Sequence, residues 1–320
     1  MNKILKIMFS FTVLIFGMIS LSGCTKENKT TDKINIISTS FPGYDFARAI
    51  TKDSKNINVS MLLKPGAEMH DFEPTPNDIK NIKNADMFIY VGGDSDEWIK
   101  KVLKDIDTKK VKVIKLMDLV DLQEEELIEG MEDDEEKEEE EIEYDEHIWT
   151  SPVNAISIIN SLKEEITKID KKQDNLYQTN ADSYINELKN IDSEIKEVVK
   201  NATRKEIIFG DRFPLRYFTN EYGLTYYAAF PGCSEQTEAS AKTIAFLINK
   251  VKEDKVPVVF HIELSNGKIA DTIAKETGTK VLEFNSAHNI SQKDFDAGVT
   301  YVDIMNNNIK VLKEALNWII

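Results

Sequence analysis

Cysteine is scarce: two occur in 320 residues. One of them, Cys24, closes an N-terminal apolar stretch, so a lipid-modified Cys24 leaves Cys233 with no intramolecular partner. A disulfide framework is thereby excluded, and a hydrophobic core must hold the chain together even in an oxidising compartment. Long apolar runs are also rare. After residue 23 nothing approaches the ~20 apolar residues that a membrane span needs. The motif G-x-x-x-x-G-K-[ST] does not occur, which removes the phosphate cradle of a P-loop ATPase, and neither does the zinc-protease motif H-E-x-x-H. Positive charge is in deficit. The formal net charge is -16, which argues against nucleic acid as a partner and against simple attraction to anionic lipid.

What is present begins with an export signal. Lys3 and Lys6 precede a mostly apolar stretch, Ile7 to Leu21, interrupted by Ser10, Thr12 and Ser20. It is too short for a favoured spanning helix and reads as a signal peptide over residues 1–23. Leu21-Ser22-Gly23-Cys24 resembles the bacterial lipobox, in which the cysteine is diacylated. The expectation is a lipid anchor at Cys24, a polar tether over 24–32, and an extracytoplasmic protein attached to the bacterial cell membrane; an ordinary secretory peptide with an incidental cysteine is the alternative. The acidity is localised as well. Residues 124–146 hold 16 Asp or Glu and one Lys, a block that cannot bury itself and reads as a solvated loop or a weak collector of cations.

Strand-like runs recur at Ile34 to Thr39, Val59 to Leu63, Met87 to Val91 and Val111 to Lys115. They return at Glu206 to Phe209, Thr225 to Ala229, Val256 to Ile262 and Lys280 to Phe284. Helical patterns lie between them, and the strands are continuously apolar, as expected of parallel sheets covered on both faces. The fold class is therefore α/β: two lobes, each a parallel sheet flanked by helices, joined by a long rigid helix. From Pro152 to Thr203 there is no glycine and no proline after the first residue. This predicts helices over Asn154 to Ile169 and Gln173 to Val199, the second reaching ~40 Å. A coiled-coil partner is the competing reading. The expected division is a first lobe over 33–170, a linking helix over 171–202 and a second lobe over 203–320.

Four histidines exist, each near the end of an expected strand or in a following loop, where open α/β sheets bind ligands. His70 follows the turn Lys64-Pro65-Gly66. His147 lies just past the acidic block, His288 follows the strand Lys280 to Phe284, and His261 lies inside a strand with period two placing Glu263 on its face. Imidazole is the commonest metal ligand, although a single histidine is more often structural.

The run Lys64-Pro65-Gly66-Ala67-Glu68-Met69-His70-Asp71-Phe72-Glu73-Pro74-Thr75-Pro76-Asn77-Asp78 continues through Asn84-Ala85-Asp86 to Val91-Gly92-Gly93 and Trp98. It resembles the first-lobe signature of the bacterial zinc and manganese solute-binding lipoproteins of ABC importers. The segment Asp145-Glu146-His147-Ile148-Trp149-Thr150-Ser151-Pro152 resembles the place of their second ligand. The resemblance runs from about Ile34 to the C-terminus and implies His70 and His147 as metal ligands. In the second lobe the chain departs from that pattern. Gly210-Asp211-Arg212-Phe213 stands where the family usually has a histidine, and Asn285-Ser286-Ala287-His288 where it can have a carboxylate. His288 and Glu263 are the expected replacements, with Asp211, His261 and Cys233 in reserve.

The resemblance implies capture of a divalent transition metal, Zn²⁺, between the lobes and delivery to an ABC permease and its ATPase, with no catalysis. Three imidazoles and one carboxylate suit tetrahedral Zn²⁺ better than Mn²⁺. A manganese carrier is the alternative within the family; an exported zinc-dependent hydrolase, with Glu263 as base, and a metal-stabilised adhesin are the alternatives outside it.

Overall fold

The structure, a computed structural model, describes residues 33–69, 72–131, 143–232, 234 and 238–317. Cys24, His70, Cys233 and residues 132–142 of the acidic block lie outside them.

Among the described residues the apolar runs form two four-stranded parallel sheets. In the first, β1 (Ile34–Ser38), β2 (Ile57–Met61), β3 (Met87–Tyr90) and β4 (Lys112–Lys115) lie in the order β2-β1-β3-β4. In the second, β5 (Glu206–Phe213), β6 (Thr225–Pro231), β7 (Val258–His261) and β8 (Lys280–Glu283) lie in the order β6-β5-β7-β8. Alternate residues feed opposite faces. Ile36, Met87 and Ile89 pack into one core while Ile37 and Phe88 pack into another, and Ile207 and Phe209 are likewise separated from Ile208. Burial on both faces keeps the central strands largely apolar, while the outer strands carry exposed polar residues such as Asn58, Lys112, Lys280 and Glu283.

The inner faces of both sheets share a single core, which contains Ile36 and Phe209 together. It is filled by α4 (Pro152–Ile169), α5 (Asp174–Lys200) and α10 (Tyr301–Ala315), together with the shorter helices over 41–50 and 216–222. Ser151 starts α4 by accepting the Asn154 N–H, with Pro152 at the first turn where its missing N–H costs nothing. The 27 residues of α5 span about 40 Å at ~1.5 Å per residue. Its first half meets the first sheet's side, with Tyr184 Oη donating to Asp45 Oδ2 (2.5 Å) and Asn180 Nδ2 to the carbonyls of Ile50 and Lys52 (3.0 and 2.8 Å). Its second half meets the other lobe through Asp192 with Tyr222 Oη (3.1 Å) and Glu194 with Lys313 Nζ (2.7 Å).

Of the shorter helices, α1 (Phe41–Ile50) and α6 (Arg216–Tyr222) also pack into the shared core, while α2 (Pro76–Lys83), α3 (Glu97–Leu103), α7 (Ala241–Asp254), α8 (Lys268–Thr277) and α9 (Gln292–Ala297) cover the outer faces or close the loops. In each sheet the strand order reverses beside the first strand. The C-terminal ends of β1 and β3, and of β5 and β7, therefore flank switch points where ligands bind in open sheets.

Two strand limits differ from the sequence expectation in ways that matter for the site. β5 continues through Gly210-Asp211-Arg212 because pairing with β6 resumes after an irregularity, Arg212 opposite Phe230 and Phe213 opposite Pro231. β7 stops at His261. Glu263 is thus beyond the strand, next to Leu264 in the left-handed region at φ 60°, and the period-two reading that put it on the face of His261 does not hold.

Candidate metal centre

His147 and His288 meet across the interface between the two halves. Their ring centroids are 5.5 Å apart with planes at 71°. His147 is fully buried and His288 is 7% exposed, and the Nε2 of each is buried. Two imidazoles on one tetrahedral Zn²⁺, with Zn–N of about 2.0–2.1 Å, place their ring centres roughly 5 Å apart. The observed spacing is that of a pair able to share an ion. Trp149 stands against both rings, at 5.5 Å from His147 and 5.9 Å from His288.

The sequence around His147 sets its tautomer. Asp145 Oδ1 accepts the backbone N–H of His147 (2.7 Å) and lies 3.2 Å from its Nδ1. A carboxylate on Nδ1 fixes the ring and leaves Nε2 as the donor atom, the usual support of a metal-binding histidine. Burial lowers the His147 pKa, but the charge and hydrogen bond of Asp145, with Glu146 and Glu125 beyond, more than reverse it, and the net shift is upward. Glu146 is itself buried and is pushed up to about 7, mainly by burial. It receives the Ser95 hydroxyl and the Ser95 N–H (3.3 Å). Its neighbour Gly93 has φ 80°, and a Cβ there would collide with the Glu146 carboxylate. Asp145 and Glu146 belong to the motif around His147, and their adjacency to it is the only sign in the sequence of this support.

His288 is held by the residue chosen as its partner. Glu263 Oε1 accepts Ser286 Oγ (2.7 Å) and the His288 N–H (3.0 Å), and Oε2 accepts the Ser286 N–H (2.6 Å). Burial raises the Glu263 pKa against these bonds. The carboxylate therefore reaches His288 through its backbone. Among the described residues no three His, Cys, Asp or Glu side chains form a group sized for a metal, so the pair His147 and His288 is what the described residues bring together.

The reserve residues are placed elsewhere. His261 is half-buried, with Nδ1 2.8 Å from the carbonyl of Ile262, beside Gly267. Asp211 is engaged by the N–H groups of Arg212 (2.9 Å) and Ile262 (3.4 Å). Arg212 passes it to reach Glu68 Oε2 (2.7 Å) and the Ser234 carbonyl (3.3 Å). Gly210 faces α8: a Cβ there would lie 2.5 Å from the backbone of Ala270. A side chain at 210 is excluded by helix packing. At the end of β6, a Cβ on Gly232 would stand 3.3 Å from the His147 ring, which brings the Pro231-Gly232 turn up to the histidine pair. On the other side, Met69 is buried in the shared core and Phe72 packs edge-on against Trp98 at 5.7 Å.

The chain matches known proteins over most of its described length. The family described as zinc-uptake complex component A, periplasmic, matches residues 36–315. The high-affinity zinc uptake system protein ZnuA of Bacillus subtilis is 33% identical over 285 residues, covering 89% of this chain and 88% of that protein. The zinc-binding lipoprotein AdcA of Streptococcus pneumoniae is 30% identical over 92% of this chain. The chain spans only 58% of AdcA's length. Among solved structures, the Zn(II)-bound ZnuA-like domain of that AdcA superposes with a TM-score of 0.73 at 29% identity, covering 89% of this chain and 99% of the domain. The metal-dependent lipoprotein YcdH of Bacillus subtilis gives 0.74 at 31%, with the same coverage. With its two parallel sheets, its long joining helix and this match over nearly the whole described chain, the protein belongs to the zinc-uptake complex component A family.

Proposed function

We propose that the chain is the extracytoplasmic carrier of an ABC importer, tethered by a lipid on Cys24, that captures Zn²⁺ between its two halves and passes it to a permease driven by a separate ATPase. The observation that carries this reading is the buried, edge-to-face pair of His147 and His288, drawn from the two halves and spaced for one tetrahedral ion. His70, which follows Lys64-Pro65-Gly66 in the sequence, is the third donor. Glu263 serves the site by holding His288, and an oxygen or sulfur ligand, Cys233 or a water, completes the shell. Nitrogen-rich ligation favours Zn²⁺ over Mn²⁺. The chain is a carrier without catalytic chemistry of its own.

The test is titration of the full chain, in detergent, with zinc and with manganese against a competing chelator. Tight 1:1 zinc binding, with a Kd of nanomolar or below (about 12 kcal/mol), lost in His147→Ala and in His288→Ala, supports the carrier. Manganese bound more tightly than zinc would reassign the cargo, and failure to bind either metal would remove the function. Growth of a deletion strain in zinc-chelated medium as well as the parent would remove import even if the protein binds zinc.

A further inference from the structure

Each of the two histidines is restrained by the half of the molecule it does not belong to. His147 follows a segment that leaves the first sheet after β4. Its two limbs pair through Glu125 N with the Glu143 carbonyl (2.9 Å) and Asp145 N with the Gln123 carbonyl (3.0 Å). The hydroxyl of Tyr217, in α6 of the second half, grips both limbs: it accepts the Gln123 N–H (3.1 Å) and donates to the Asp145 carbonyl (2.8 Å). Tyr217 is 1% exposed. Asp145 is the residue that orients the His147 ring. The outgoing limb is held to the second half again by Arg216 with Glu126 (2.6 Å) and by Gly130 against Phe246.

The loop of His288 shows the mirror arrangement. It follows β8 of the second half, yet Asn289, the next residue, donates its amide to the carbonyls of Lys64 (2.8 Å) and Ala67 (2.7 Å) in the first half, while Gly66 N donates to the Ile290 carbonyl (2.8 Å). Lys64 to Ala67 is the turn that leads to residue 70.

We infer that Tyr217 and Asn289 are positioning residues, which hold the histidines of the site each from the opposite half. The inference rests on the zinc-carrier reading and adds to it a release mechanism. Because the restraints cross, any separation of the halves pulls Asp145 with α6 and Asn289 with the Lys64 turn, and so displaces each imidazole from its partner. The ion's lifetime is then set by two small hydrogen-bond clamps. A small relative movement of the halves, of the size a docking permease imposes, suffices to release the metal without opening a wide cleft.

The measurement is zinc release from the full chain in detergent, by rapid mixing with excess chelator, for wild type, Tyr217→Phe, Asn289→Ala and, as control, Tyr222→Phe. Tyr222 lies on the same helix and loses a hydroxyl bonded to Asp192, away from both loops. Thermal melting establishes that each variant is folded, and the visible spectrum of the Co²⁺ form reports ligand geometry. The expected result is release faster by about 10- to 100-fold, the effect typical of removing outer support of a metal ligand, in Tyr217→Phe and Asn289→Ala, with altered Co²⁺ band intensity, and wild-type behaviour in Tyr222→Phe. Unchanged release in the first two, or equal acceleration in all three, overturns the inference while leaving the carrier intact. A wild-type chain that binds no zinc overturns the carrier reading and this one with it.

Discussion

The indole N–H of Trp149 donates to the backbone carbonyl of Ser286 at 2.8 Å, with both residues buried. One bond thereby joins the segment carrying His147 to the loop carrying His288. Tyr301 Oη reaches the Trp149 carbonyl at 2.7 Å from α10, so Trp149 is fixed from both sides. Trp149→Phe would keep most of the apolar contact and strand the Ser286 carbonyl. The expected cost is about 1–3 kcal/mol of stability, that of an unsatisfied buried group, read by urea denaturation. An unchanged midpoint would mean that the bond contributes nothing net.

Asp145 raises the proton affinity of His147 as it orients it. An imidazolium cannot coordinate, so zinc affinity should fall by about tenfold per pH unit for each histidine once the pH drops below its pKa, which for His147 lies above ~6.5. In Asp145→Asn the ring is less basic but poorly held. Affinity at pH 8 should weaken about 10- to 100-fold, while the acid-side loss begins at lower pH than in wild type. Chelator-competition titrations from pH 5.5 to 8 check both parts, and identical pH profiles would rule out the pairing.

Asp96 is 4% exposed and its pKa is raised to about 6, chiefly by burial, against hydrogen bonds from the N–H groups of Gly92 and Val91 and the charge of Lys115. The folded value exceeds the unfolded one, so the native state binds the extra proton, and this group adds stability as the pH falls from about 6 toward about 4. The gain is of order 3 kcal/mol for two pKa units. Asp96→Asn keeps an acceptor for the two N–H groups and cannot titrate. Wild type should therefore gain on the variant as the pH falls through that window; parallel stability curves would show that Asp96 is not perturbed in this way.

Gly210 stands where the family resemblance read from the sequence would place a histidine, yet a Cβ there would meet the backbone of Ala270 in α8. Gly210→Ala should destabilise by about 1–3 kcal/mol through overpacking, and Gly210→His should fold poorly without improving zinc affinity. A folded, tighter-binding Gly210→His protein would overturn that assignment of the site.

How far the sequence could be read is visible in particular elements. All eight strands of the described residues answer to apolar runs seen in the sequence; the signal is strongest in the central strands, which the two layers of helices bury. The long helix, expected over Gln173 to Val199, runs from Asp174 to Lys200, since a stretch free of glycine and proline has nothing to stop it. The strand ends were less legible. Gly210-Asp211-Arg212 looks like a loop and belongs to β5, because pairing with β6 overrides local polarity. Period two puts Glu263 on the strand face of His261, but β7 ends at His261 and the Glu263 carboxylate turns into the Ser286 to His288 loop.

The sequence by itself determined the fold class and the position of the joining helix, because these depend on local periodicity; His147 entered as a candidate through the family resemblance, and His288 as a candidate replacement ligand. Only the tertiary structure decided that those two rings meet, that Glu263 supports one of them through its backbone, and that Tyr217 and Asn289 reach across to the loops. Those relations join residues as far as 225 positions apart. Such a pairing leaves no periodic trace along the chain, and it exists only once the shared core has brought the two sheets together.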